Sequence, residues 1–401
     1  MRLIHRREFR RLVAGYALST VGDAGVRMLL AWITLELRGT VAMSGVFIGS
    51  AAACVFGPLV GRWLDRYPVR DLLSATCVAR FALMLALVFM DPQTVARHAA
   101  VFAFLSSFFS LAYGPAVSKT IPAMFSPEKM HEANASSGIS FLIASAAGPA
   151  LGGAILAHYG LNAACAVFAA IFLLNMPLSH FVAFPLPQSN VGEERRTGGY
   201  TEGFRLLAAM PVVLALVALG VILNFTLAPI NVALAPLMLS LGAGPQGFGF
   251  AMALFVAGAV GGNVLAGRLL RTVSWEQSVL ASLGAIAFGL IAVGMSRSPG
   301  QAAISILLIG AALPFFQIPV STQLQRSVPA AQAGQVFATI NSVTLFAAPL
   351  AVAGAGALLK WLAPPLMFYG AAAACAALCL SWRIFSRQQE RVAPLLDSDF
   401  R

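Results

Sequence analysis

The sequence predicts an all-α membrane protein: twelve transmembrane helices in two six-helix bundles. Three observations lead there. Hydrophobic residues make up 59% of the 401 and charged residues only 10%, with a mean hydropathy of +0.82. A soluble domain carries about 25% charged residues, so most of this chain's surface must face hydrocarbon. A spanning helix needs about 20 apolar residues, and twelve such stretches fit with short loops between them. The one long polar break, 184–202, falls near the midpoint.

Taken in order, spans at 12–37, 42–64, 71–90, 98–121, 133–157 and 161–183 build an N-terminal bundle, residues 1–183. The linker 184–202 follows, with Pro185, Pro187, Gly192, Glu193, Glu194, Arg195, Arg196, Gly198 and Gly199. Tyr200 to Met210 reads as a helix along the membrane surface. Spans at 211–239, 246–270, 276–296, 301–325, 333–359 and 364–385 build a C-terminal bundle, residues 203–388, and 389–401 forms a tail. Arg2, Arg6, Arg7, Arg10 and Arg11 precede an apolar run too long for a cleavable signal, so the first span is retained.

Placing both ends and the linker inside puts twenty of the 26 Lys and Arg on the inner side and four outside, with Arg27 and Arg80 within spans. This bias sets linker, tail and both termini in the cytoplasm. The net charge of +11 therefore sits at helix ends and does not point to nucleic acid. Five cysteines lie inside apolar stretches without metal-type spacing and read as small packing residues. No phosphate-binding loop with Lys-Ser/Thr and no His-Glu-x-x-His occurs, so neither ATP-driven transport nor an enzyme is expected, and no cofactor or metal.

The run Gly61-Arg62-Trp63-Leu64-Asp65-Arg66-Tyr67-Pro68-Val69-Arg70 wedges charge between two apolar stretches. It resembles the cytoplasmic loop between helices 2 and 3 of major facilitator superfamily transporters. Gly, Asp and both Arg fall at the family's spacing; Pro68 stands where the family usually has Gly. The resemblance implies a gate in which Asp65, Arg66 and Arg70 tie helices 2 and 3 to helix 11 or its neighbours in the outward-open state. A solvated turn is the plainer reading. The halves echo each other: Gly61-Arg62 recurs as Gly267-Arg268, and Gly148-Pro149 is matched by Ala348-Pro349, as a parallel repeat predicts.

Asp23 lies in the first span, and an ionised carboxylate in hydrocarbon costs several kcal/mol, about what insertion scales assign, unless paired or protonated. Arg27 is one helical turn on, within reach of a salt bridge. Arg80, midway along the third span, needs an acid, backbone carbonyls or an anion, and Asp23 is its most economical partner. Three readings stand side by side: Asp23 as a proton-coupling carboxylate, Asp23 and the arginines as a substrate site, or a structural ion pair. In the second half the polar groups are uncharged: Asn224 and Asn231 flank Pro229, with Gln317 and Asn341 further on. They suggest a neutral wall of a cavity whose other wall is ionisable. Phe108-Phe109 and Phe315-Phe316 are candidates to line it.

Gly148-Pro149-x-x-Gly152-Gly153 resembles the fifth-helix motif of antiporter branches of the superfamily, which favours efflux. Gly22-Asp23 with 35–40, 114–122 with 133–135, and 318–329 with 334–337 resemble the macrolide-efflux and enterobactin-exporter group. The resemblance implies a secondary exporter in the bacterial inner membrane that moves a small amphipathic molecule, siderophore- or drug-like, by proton antiport, as a monomer. Its partners would be the small-molecule substrate, protons and membrane lipid. An importer or lysophospholipid flippase of the same fold, or a transport-inactive receptor or assembly factor, are the alternatives.

Overall fold

The computed structural model describes residues 2–180, 205–329 and 332–398, and among these every regular element is a helix. Helix α1, Arg2–Ala53, carries the first two passes and reverses at Gly39, whose φ of 81° is open to glycine without strain. A 3₁₀ turn, Cys54–Phe56, precedes α2, Gly57–Arg66, because Pro58 removes a backbone donor there. Helices α3, Val69–Val88, and α4, Pro92–Ser110, are the third and fourth passes, the fourth continuing into α5, Tyr113–Met124. The Asp91 carboxylate accepts from the Thr94 amide at 3.0 Å and caps α4. Helix α6, Pro127–His180, holds passes five and six on either side of Gly160, φ 78°.

The second half contains α7, Pro211–Val232; α8, Leu234–Ser240; α9, Pro245–Leu269; α10, Trp275–Gly294; α11, Pro299–Ser327; α12, Ala333–Leu358; and α13, Pro364–Ser398. Prolines open α7, α9 and α11, where a missing N–H costs nothing. Nine helices among the described residues are long and apolar enough to cross a membrane. Two of them, α1 and α6, cross twice, and α12 with 26 residues adds the twelfth pass.

Three segments need comment. The linker 184–202 lies outside the described residues, and of the surface segment only 205 onward is described: 205–208 is helical, with Leu207 buried against Val213 and Val217. The last span, expected at 364–385, lies at Pro364–Arg383, and its helix continues beyond it. That helix runs to Ser398, because Arg387-Gln388-Gln389-Glu390-Arg391 are strong helix formers. The seventh pass breaks at Ala233, four residues beyond Pro229 and just ahead of Pro236.

The packing is lopsided along the long axis. One hydrophobic cluster joins both halves at the end where Gly39 and Gly160 turn, uniting Trp32, Met43 and Phe168 with Leu234, Phe248 and Phe368. Trp32 stacks on Phe248 at 5.9 Å there. At the opposite end the clusters separate: Leu12, Val117 and Ile121 belong to the first half, Val213, Val328 and Val336 to the second. The halves are thus closed together at one end and parted at the end where the chain starts.

Candidate functional site

The gap between the halves is a chamber of two lobes. The first, of about 430 Å³, is lined by Ser19, Asp23 and Arg27 from α1, by Tyr113 of α5, and by Asn231 and Phe248 across the gap. The second, of about 530 Å³, is lined by Asn224, Asn231, Phe316, Gln317 and Ser321. Asn231, Met252 and Phe255 belong to both, so the lobes are one space.

The first lobe is built on a buried ion pair. Arg80 of α3 is fully buried. Its Nη1 donates to Asp23 Oδ1 and to Ser19 Oγ, each at 2.8 Å, and its Nε donates to the Thr76 carbonyl at 3.3 Å. Nη2 finds no hydrogen-bond acceptor among the described residues. Its guanidinium instead lies 4.6 Å from the Phe172 ring centre and 5.2 Å from that of Tyr113. Cation–π attraction to these two rings, about 2 kcal/mol when desolvated, offsets part of that loss. The Asp23 side chain keeps 14% of its surface exposed and is the member that meets the chamber.

Behind the pair stands a second polar layer. The Tyr113 hydroxyl accepts from Asn175 Nδ2 at 2.9 Å and shares hydrogens with Ser179 Oγ at 2.7 Å and Cys77 Sγ at 2.9 Å. This ties α3, α5 and the sixth pass together around the arginine. Reading from sequence did not single out Ser19, Tyr113, Asn175 or Ser179. Asn175, an amide deep in an apolar span, was the available signal.

Glycines make the ion pair reachable. A Cβ on Gly25 would collide with the Phe168 ring, and one on Gly148 would lie 2.5 Å from the Val21 carbonyl oxygen. Small residues let α1 and the fifth pass touch backbone to backbone. Gly152 keeps the same contact, 3.2 Å from the Gly25 oxygen to where a Cβ would stand. Gly153 faces across the gap: Gly249 of α9 has the Gly153 Cα 3.2 Å from where a Cβ would stand, and Pro149 offers its carbonyl beside it. The Gly148-Pro149-Gly152-Gly153 motif therefore forms two interfaces, one within the first half and one between halves.

Other expected residues fall out as follows. Arg27 lines the first lobe with an exposed side chain, but Asp23 pairs with Arg80 rather than with it. Asn224, Asn231 and Gln317 reach the second lobe. Asn341 sits in α12 and Asp65 in α2, and their side chains lie outside the described residues. Arg66 is exposed, and Arg70, also exposed, bonds to its neighbour Asp71 at 3.2 Å rather than to another helix. Phe108 packs on Phe104, Phe56 and Trp63 instead of lining the chamber. Phe316 lines the second lobe; Phe315 points into a separate apolar cleft with Leu265 and Leu269.

Twelve passes in two halves, parted at one end around a central chamber, define a membrane carrier. The chain belongs to the Major Facilitator Superfamily, whose model matches residues 12–347. It is a multi-pass transporter. It is 26% identical over 373 residues to the uncharacterized MFS-type transporter YfiS of Bacillus subtilis strain 168, covering 89% of this chain and 88% of that protein. A shorter stretch of 152 residues is 28% identical to the uncharacterized MFS-type transporter YhhS of Escherichia coli K12, 37% of each. The solved nucleoside transporter NupG superposes with a TM-score of 0.77 at 13% identity, covering 94% of this chain and 99% of that one. The POT family transporter PepTSo gives 0.73 at 10% identity, covering 96% and 98%. At these identities the structures carry the fold alone.

Proposed function

We propose that the chain is a secondary active exporter that moves a small amphipathic molecule, of siderophore or drug type, out across the bacterial inner membrane in exchange for protons. The observation that supports this most is the Asp23–Arg80 pair in the chamber wall. Protonation of Asp23 would cancel its charge and leave Arg80 with Ser19, the Thr76 carbonyl and two rings. The contact between α1 and α3 then has two arrangements, and a proton selects between them. Each charge crossing inward is worth about 2.3 kcal/mol per 100 mV. The basic residues favour a cytoplasmic position for the parted end and both termini, which makes this conformation inward-open. Exposed Arg66 and Arg70 fit a gate latch that is released in this state. The glycine motif of the fifth pass, by its resemblance to antiporters, favours export.

The test is a reconstituted vesicle with an imposed pH gradient and a panel of macrolide and siderophore candidates. Asp23→Asn mimics the protonated form. Gradient-driven accumulation should vanish while equilibrium binding persists. If the variant still concentrates a substrate at the wild-type rate, coupling resides elsewhere and Asp23 is a structural partner for Arg80.

A further inference from the structure

We infer that the substrate is a monoanionic amphiphile, its single negative group held by Arg27 and its uncharged, hydrogen-bonding part laid on the Asn224–Gln317 wall. This deepens the exporter reading above and rests on it.

The charge balance of the chamber carries the inference. Among the described residues lining the two lobes, only Asp23 and Arg27 are charged. Asp23 is already neutralised by Arg80 at 2.8 Å. Arg27 has neither an ion pair nor a hydrogen bond among the described residues, and its side chain is exposed to the lobe. The wall around it mixes apolar Met28, Phe47 and Phe248 with neutral polar groups such as Thr20, Ser145 and Asn231. A cation at membrane depth is costly unless an anion or water-filled space compensates it. Among the described residues the one carboxylate on this wall, Asp23, is taken by Arg80, so an anionic ligand is the natural partner for Arg27. A planar guanidinium prefers a carboxylate, sulfonate or phosphate, which it meets with two parallel hydrogen bonds. One unpaired cation matches one negative charge; a dianion would leave an excess charge stranded in the chamber.

The far lobe sets the rest of the molecule. Its polar side chains are amides and a hydroxyl, and the rest of its lining is aliphatic, methionine or phenylalanine, apart from Gly220. Asn224 spends its amide nitrogen on the Gly220 carbonyl at 3.0 Å. Its side-chain oxygen is left to accept, which favours a hydroxyl or N–H on the ligand. The shared residue Asn231 joins the charged lobe to the neutral one, so one molecule spans both.

The same anion chemistry could belong to a soluble carboxylate or to a single-chain lipid head group, and the experiment separates them. Purified protein in an uncharged maltoside is melted with 2-naphthoxyacetate, its primary amide, or the matched 2-naphthoxyethylamine. The carboxylate should bind at least tenfold more tightly than the other two. Arg27→Gln should erase that preference, and Arg27→Glu should turn it toward the amine. Equal binding of all three by the wild type, or a preference unchanged in both variants, overturns the inference. Lyso-phosphatidylglycerol and lyso-phosphatidylcholine form the lipid arm. Selective displacement of the carboxylate by the anionic lipid assigns the charge to a head group. Indifference to it assigns the charge to a soluble molecule; either result upholds the monoanion. Because binding needs no gradient, its outcome is independent of the Asp23 transport test. Charge preference without driven transport would sink the exporter reading alone. Driven transport of neutral molecules or cations would sink this inference alone.

Discussion

In the first half a fully buried arginine meets a carboxylate at 2.8 Å, whereas every described polar group on the chamber wall of the second half is uncharged. The helices of the second half are tied by neutral bonds instead: Ser278 and Ser282 of α10 donate to the Phe315 and Ala312 carbonyls of α11 at 2.8 and 2.7 Å. Cys375 adds a contact from α13 to the Leu283 carbonyl at 3.3 Å. The contrast teaches a division of labour. In the proposed cycle a group that couples to protons must change charge, and among the described residues the only carboxylate in the wall, Asp23, belongs to the first half. A surface that recognises the uncharged part of a ligand gains from keeping its character at every stage of the cycle. Glycine packing is common to both halves: Gly25 meets Gly148 in one, while Gly258 and Gly262 meet the Leu307 and Ala311 carbonyls in the other. What differs is the ionic layer laid over that packing.

The largest effect expected from this contrast is on stability at Arg80. Arg80→Ala removes one member of a buried pair and strands Asp23, Ser19 and the Tyr113 layer. Breaking such a pair costs about 3–5 kcal/mol. The variant should melt at a clearly lower temperature and accumulate poorly in membranes, while Arg80→Lys keeps a charge and loses less. No single polar truncation on the second-half wall should approach this. A loss below about 1 kcal/mol, the scale of an ordinary hydrogen bond, would mean that the ionic layer is not what holds the first half.

Much of this contrast was legible in the residues. Apolar runs of spanning length and one polar break gave twelve passes, and lone charges in hydrocarbon had to find one another, which joined Asp23 to Arg80. The choice of Arg80 over Arg27 was not legible. Arg27 is the nearer residue along the chain, but the two rings that shelter Arg80 come from the fifth helix and the sixth pass, over 30 and 90 residues away in sequence. The same limit explains the phenylalanines. A helix that is apolar all round gives no signal of its own rotation, so Phe315 and Phe316 could be assigned to walls only once α11 was packed. Asp65 shows the opposite case: its motif is plain in the sequence, while its side chain lies outside the described residues.

A middle-sized effect tests where the two halves meet. Gly249 stands against Gly153 and the Pro149 carbonyl, so a larger side chain there must push the closed ends apart. Gly249→Val should cost about 1–3 kcal/mol of the closed arrangement, the usual range for overpacking. Since both halves keep their internal contacts, the cost should appear as a shift in population rather than as unfolding. Cysteine labelling at Phe248, in a background without native cysteines, reads this directly: reactivity should rise in the valine variant. Unchanged reactivity with a depressed melting temperature would show instead that the junction belongs to the core of each half.

The smallest effect belongs to the neutral wall, and it is the most selective. Asn224 bonds to its own helix through Gly220, so it is not needed to hold the second half together. Asn224→Ala should therefore leave the melting temperature nearly unchanged. It should weaken ligand binding by about 1 kcal/mol, roughly fivefold, the net worth of one neutral hydrogen bond. The loss should not change with pH, because no described residue on this wall is ionisable. The charge preference set by Arg27 should also persist, as the two residues line different lobes. The measurement is a pair of binding isotherms, wild type and variant, repeated across pH. A penalty that grew or vanished with pH would tie Asn224 to the ionic layer and dissolve the division between the halves.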